Sequence, residues 1–257
     1  MIVFKSMISA FAMYSRIPMP KIEWKEENHR YSLCFFPLIG AVICWLYLLW
    51  FYICAALGIN EFLKGAVSVA LPLLVTGGIH ADGFCDVTDA RACLGDRAKK
   101  LAVMSDPHIG SFAVIYSILY FLLQAAVFSA VRTLNTAVVI ALCFVMSRAF
   151  SGLAAVTMKC AKNEGTLQSF SEPAHKAITT AVLIAVCASS YMFMLAADIW
   201  TGAAVLLVFF LCLLYYRISA YRSFGGITGD TEGWFLQICE LAAPAAAVLT
   251  DIIEQLF

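Results

Sequence analysis

The chain has 257 residues, 62% hydrophobic and only 13% charged, with a mean hydropathy of +0.86. Ordinary globular domains are about 45–50% apolar and about 25% charged, so this composition excludes a water-soluble globular domain and points to an integral membrane protein. Seventeen basic and seventeen acidic side chains cancel. That balance gives no support for a nucleic-acid partner, which would need a concentrated basic surface.

The N-terminal segment, 1–31, begins with a short apolar stretch. It then runs through Tyr14-Ser-Arg-Ile-Pro-Met-Pro20, a poor signal-peptide cleavage site. It reads as an amphipathic or interfacial segment, or as part of the folded protein. Apolar runs long enough to suggest membrane crossings follow at 32–57, 62–78, 111–131, 137–158, 177–197, 202–218 and 234–249. The second is short and ends in an acidic motif. The seventh carries Glu240 and Pro244, so a re-entrant or interfacial helix is its alternative. The expected fold is an all-α polytopic bundle of about seven transmembrane helices, forming one membrane domain over 1–257. The acidic motif falls in the segment 79–110.

The loops alternate in charge. Segments 1–31, 79–110, 159–176 and 217–233 carry fourteen Lys and Arg residues, whereas the opposite side carries only Lys64 and Arg132. Such an asymmetry places the N-terminus and every motif loop in the cytoplasm, on a multi-pass protein of the cell membrane. The ten cysteines form no CxxC pair and no Cys/His zinc spacing, so they read as small hydrophobes.

Three polar clusters fall on the basic side. The first is Thr76-Gly-Gly-Ile-His-Ala-Asp-Gly-Phe-Cys-Asp-Val-Thr-Asp-Ala90. Asp82, Asp86 and Asp89 are spaced i, i+4, i+7, which on a helix aligns three carboxylates on one face. Three close anions repel unless protons or a cation neutralise them, and carboxylates with phosphate oxygens suit Mg²⁺. Gly77, Gly78 and Gly83 would break the apolar run and let backbone come close to a ligand. The second cluster is Met104-Ser-Asp-Pro-His-Ile-Gly-Ser111. There Asp106 and His108 could hold a metal, a phosphate or a transferring proton, or Asp106-Pro107 could simply start a helix. The third is Arg222-Ser-Phe-Gly-Gly-Ile-Thr-Gly-Asp-Thr-Glu-Gly233. Its glycines, Gly225 and Gly226 among them, could present N–H groups to phosphate. Arg222 could pair with a phosphate, and Asp230 could add a metal ligand. It lacks the GxxxxGK[ST] pattern of a P-loop. Arg148 and Glu240 are charges inside apolar runs, so each should face the bundle interior or water. Arg148 could neutralise a phosphate or pair with an acid.

These clusters, in this order, resemble the cobalamin synthase family, the adenosylcobinamide-GDP ribazoletransferases. Phe11…Ser15-Arg16-Ile17-Pro18-Met19-Pro20 carries the likeness near the start, followed by Gly77-Gly78-Ile79-His80-Ala81-Asp82-Gly83-Phe84-Cys85-Asp86-Val87-Thr88-Asp89. Met104…Asp106…Ile109-Gly110 and Gly225-Gly226-Ile227-Thr228-Gly229-Asp230 come next, with Glu240 beyond. This chain has Ser105, His108 and Ala90 where the family commonly has Lys, Arg and Gly. The first two differences remove positive charge from a phosphate-handling loop.

The resemblance implies a Mg²⁺-dependent phosphotransferase that completes the cobalamin nucleotide loop. A ribose hydroxyl of α-ribazole, or of its 5′-phosphate, would attack the cobinamide-linked phosphorus of adenosylcobinamide-GDP and release GMP. In this assignment Asp82 and Asp86 hold the metal. Asp89 is a ligand or the general base, and His80 is an alternative base or a phosphate contact. Asp230 completes the metal shell, with Asp106 and Glu240 as further candidates. Arg222 and the turn around Gly225, Gly226 and Thr228 hold pyrophosphate, with Arg148 and His108 as further phosphate contacts. A homo-oligomer, or association with other cobalamin-assembly enzymes, is left open. Two other readings are a CDP-alcohol phosphotransferase and a cation transporter. In the first, Asp-Gly would follow an acid rather than precede the others. In the second, the acids would sit near the midplane rather than at one end of the spans.

Overall fold

A computed structural model describes residues 2–161 and 166–256. Lys162, one of the basic residues counted above, lies outside the described residues. The chain forms twelve helices among the described residues: α1 Ile2–Tyr14, α2 Glu26–His29, α3 Ser32–Leu57, α4 Glu61–Thr76, α5 Ile79–Ala92, α6 Arg97–Val103, α7 Ser111–Ser129, α8 Leu134–Thr157, α9 Thr166–Ser171, α10 Lys176–Ala197, α11 Ile199–Phe224 and α12 Gly229–Glu254. Of these, α3, α7, α8, α10, α11 and α12 are long and apolar enough to cross a membrane.

Local signals set the helix limits. Gly58 ends α3 in the left-handed conformation, φ 64°. Asn60, Thr133 and Asp198 cap α4, α8 and α11 by accepting from backbone N–H groups three residues on. Short connections force neighbours antiparallel, so the starts of α3, α7, α10 and α12 gather at one end with the ends of α4, α8 and α11. All three polar clusters of the sequence lie at that end.

Helix α8 is the hub. It is buried along most of its length and packs on α3, α10 and α12. Close approach follows from small residues: a Cβ on Gly40 of α3 would lie 2.2 Å from the Phe144 carbonyl oxygen of α8. By contrast, α7 and α10 turn Ile115, Leu122, Ile184 and Phe193 outward, as lipid-facing helices do.

Two sequence expectations change. The segment 234–249 is not a re-entrant or interfacial piece but part of a continuous 26-residue helix, α12. Pro244 removes one N–H from it, and the carbonyl thereby orphaned, that of Glu240, accepts instead from Gln124 Nε2 of α7 at 3.2 Å. The break occurs at the second span. Gly77 and Gly78 take φ of 70° and 81°, and α5 turns 97° from α4, across the end of the bundle rather than along a span. The acidic segment, treated above as part of a loop over 79–110, is therefore mostly helix, α5 and α6.

Candidate active site

Helix α5 crosses the N-terminus of α12 and sits beside α7. Two glycines make that crossing close. A Cβ on Gly83 would fall 2.7 Å from the Asp230 carbonyl oxygen, and one on Gly233 would fall 3.0 Å from that of His80. Asp82 and Asp86 are thereby brought against Asp230, which is far away in sequence. The crowding shows in Asp86, whose carboxyl is pushed up to about 6, first by burial and then by the charges of Asp82, Asp230 and Asp89.

Asp89 has a different job in this structure. Its Oδ2 accepts from Gly110 N–H at 2.6 Å and its Oδ1 from Ala113 N–H at 2.9 Å. It thus satisfies two N–H groups at the start of α7, those of the cap residue Gly110 and of Ala113, and pins the 104–110 loop beside α5. In that loop Asp106 Oδ1 accepts from the His108 N–H at 2.9 Å and meets its Nδ1 at 2.7 Å, and the backbone contact in particular holds the Asp106 carboxyl below its usual range.

Two cavities flank α5. The open one, about 290 Å³, is polar and is lined by Asp82, Cys85, Asp86 and 104–109, including Asp106 and His108. The more enclosed one, about 240 Å³, lies between α5, α8 and α12 under α1 and α9. Its walls carry Tyr14, Phe36, His80, Ser151, Asp230 and Glu232. Asp82 alone lines both. His80 is 6% exposed and its Nε2 has no hydrogen-bond partner. Burial and, next, the Arg148 charge hold its pKa well below the ordinary histidine value, so it is neutral. Burial likewise keeps the Tyr14 hydroxyl protonated, with the nearby Glu232 adding to the effect.

Several residues assigned from sequence stand elsewhere. Arg148 and Glu240 face each other inside the bundle, with Arg148 Nη1 2.6 Å from Glu240 Oε1 and Ser147 Oγ donating to the same oxygen at 3.0 Å. They are 0% and 2% exposed and line neither cavity, so Glu240 is placed as an ion-pair partner rather than a metal ligand, and Arg148 as its counter-charge rather than a phosphate contact. The Gly225–Thr228 turn serves packing. Gly226 fits where a Cβ would lie 2.5 Å from the Lys159 carbonyl oxygen, and Ile227 exchanges hydrogen bonds with Lys159 and Ala161. Thr228 is the cap of α12, in a capping box with Thr231. Arg222 is exposed and lines neither cavity.

Conversely, the sequence reading passed over Tyr14, Ser151 and Glu232. Ser151 Oγ donates to Glu232 Oε2 at 2.5 Å, and the Tyr216 hydroxyl donates to Oε1 at 3.0 Å. A signal existed for Ser151: Arg148, Ser151, Gly152 and Ala155 share one helical face at i, i+3, i+4, i+7. Glu232 lies two residues beyond Asp230.

The match to known proteins runs through all of these clusters. Residues 6–248 match the family model described as cobalamin-5-phosphate synthase. The chain belongs to this family. It is 42% identical to the adenosylcobinamide-GDP ribazoletransferase of Lachnoclostridium phytofermentans, over 94% of this chain and 92% of that protein. Proteins of the same name from Pseudomonas syringae and Clostridium botulinum are 34% and 28% identical, covering 88% and 96% of this chain and 90% and 98% of theirs. No solved structure matches. Family membership makes the chain a transferase, and the six helices among its described residues long and apolar enough to cross a membrane make it a multi-pass membrane protein. Membership disfavours the CDP-alcohol phosphotransferase and cation-transporter readings.

Proposed function

We propose that this chain transfers the cobinamide-phosphate group of adenosylcobinamide-GDP to α-ribazole, or to its 5′-phosphate, releasing GMP and forming adenosylcobalamin or its 5′-phosphate. One observation carries the site assignment: Asp82 stands on the wall between the open polar cavity and the enclosed one, with Asp86 and Asp230 beside it. Two substrates approaching from opposite faces of α5 would meet there.

The residues fit Mg²⁺. This ion commonly takes one or two carboxylates and completes its shell with water and substrate phosphates. Asp82, Asp86 and Asp230 offer carboxylates whose mutual repulsion a cation would relieve. No group of three or more His, Cys, Asp and Glu side chains that could hold a metal occurs among the described residues. At most two of these carboxylates at a time would hold one ion, with water and phosphate oxygens completing its shell. When bound, Mg²⁺ would put positive charge on those oxygens.

In this reading the protein's own groups divide the work. Neutral His80, with Nε2 unpartnered in the enclosed cavity, accepts a hydrogen bond from the ribose hydroxyl and aims its oxygen at phosphorus, and the hydroxyl proton passes to the phosphate of the departing GMP. The new phosphorus–oxygen bond forms as the bond to the GMP oxygen breaks. Asp89 holds the 104–110 loop in place, and His108 on that loop contacts a phosphate. The asymmetry of basic residues supports a cytoplasmic site and a cytoplasmic N-terminus in the cell membrane.

The test is transfer by protein reconstituted in liposomes with adenosylcobinamide-GDP, α-ribazole and Mg²⁺, following GMP and the cobalamin product. EDTA is expected to abolish product. Asp82→Asn and Asp86→Asn are each expected to lower kcat/KM on the order of a hundredfold or more, the equivalent of about 3 kcal/mol or more of lost charge stabilisation. Turnover that survives EDTA and both substitutions would remove the metal from this site.

A further inference from the structure

Resting on the transfer reading above, we propose that the enclosed cavity between α5, α8 and α12 is the binding site for the flat heteroaromatic base of the nucleoside acceptor, whereas the open cavity takes the GDP-linked phosphate. The two cavities differ in the way two such substrates differ. The open one is lined mainly by polar groups, the acids of α5 and the 104–109 turn, with no aromatic ring other than His108 on its walls. The enclosed one, about 240 Å³, is too small for a tetrapyrrole-like macrocycle and suits a bicyclic ring.

Its walls match a ring of that kind. Tyr14, Phe36 and His80 form an aromatic group, with the Tyr14 and Phe36 centroids 4.5 Å apart and those of Phe36 and His80 5.8 Å apart. Leu167 of α9 and Leu236 of α12 extend the apolar surface. Planar apolar walls gain most from a planar ligand, through burial and ring–ring contact. A wholly apolar occupant such as an acyl chain would leave the buried His80 Nε2 against hydrocarbon with no partner. A nucleoside answers both ends, with its base against the rings and its ribose hydroxyls toward His80 and Asp82. The shared wall then does the rest: a ribose leaving the enclosed cavity past Asp82 emerges where the open cavity presents the phosphate. Specificity for the acceptor base would accordingly reside in residues from α1, α3, α9 and α12 that the acidic motif does not contain.

Filling the cavity away from the acids tests this. Ala155→Leu intrudes from α8, and Leu167→Trp intrudes from the short helix α9, outside the spans, so that one variant survives if the other misfolds. In steady-state transfer assays each is expected to raise the KM for α-ribazole tenfold or more while leaving the KM for adenosylcobinamide-GDP within twofold. Direct titration of α-ribazole by its own fluorescence, without the second substrate, should show the same weakening. If wild-type protein turns over and both variants leave the α-ribazole KM unmoved, or raise that of adenosylcobinamide-GDP instead, the inference is overturned and the transfer reading stands. If the variants lose co-purifying phospholipid while α-ribazole KM stays put, the cavity belongs to lipid and the inference is likewise overturned. A wild-type protein that forms no α-ribazole-dependent product removes the transfer reading and this inference with it.

Discussion

At the scale of single residues, the two charges buried in apolar runs show how far a residue type constrains its role. From sequence, Arg148 and Glu240 had to face something polar, and a substrate phosphate, a metal or each other were all open. Packing decided for each other, because α8 and α12 run side by side and bring positions 92 apart in sequence to 2.6 Å. Breaking one half of such a pair leaves an uncompensated buried charge, at a cost of about 3–5 kcal/mol, whereas replacing both halves with apolar side chains is often neutral. Glu240→Ala should therefore lower the thermal unfolding temperature in detergent sharply. Arg148→Met combined with Glu240→Met should restore most of it. A Glu240→Ala protein of wild-type stability but without transfer activity would instead place the pair in the active site. Asp89 makes the same point more mildly. Its spacing with Asp82 and Asp86 put it on the acidic face, but the start of α7 claims both of its oxygens.

At the scale of elements, the acidic motif proves to be a helix that works by where it crosses. The i, i+4, i+7 spacing made α5 legible as a helix, and Gly77-Gly78 marked its beginning. The purpose of Gly83 and Gly233 was not legible. Sequence suggests Gly83 as room for a ligand and Gly233 as one of the glycines offering N–H groups to phosphate, and both instead make room for the partner helix backbone. Gly83→Ala is the direct check. Its methyl group would sit 2.7–3.2 Å from three Asp230 backbone atoms, so α5 and α12 must part. Overpacking of this kind costs about 1–3 kcal/mol, which a bundle of this size should survive. The expected result is folded, membrane-inserted protein with transfer activity reduced more than tenfold, because Asp82 and Asp86 no longer meet Asp230. Wild-type activity with unchanged stability would show that the aspartates tolerate a wider crossing.

At the scale of the whole molecule, the alternation of spans and basic loops predicts which face of the membrane carries the chemistry. A protease site inserted beside Leu94, which is 92% exposed at the site end, should be cut only from the cytoplasmic face. One inserted at Arg132, in the connection between α7 and α8, should be cut only from the other face. The reverse pattern would invert the proposed orientation. The chain's membrane nature, its helical class, the approximate spans and the grouping of its polar motifs all follow from sequence alone, because hydrophobic length and loop charge are local properties that lipid and water read directly. Tertiary structure alone decided the 97° turn of α5, the mutual pairing of Arg148 and Glu240, and the cavity that joins Tyr14, Ser151 and Glu232 to the acidic helix. Each of these depends on which helix faces meet across the bundle, and that is set by close packing between segments too distant in sequence for any local pattern to record.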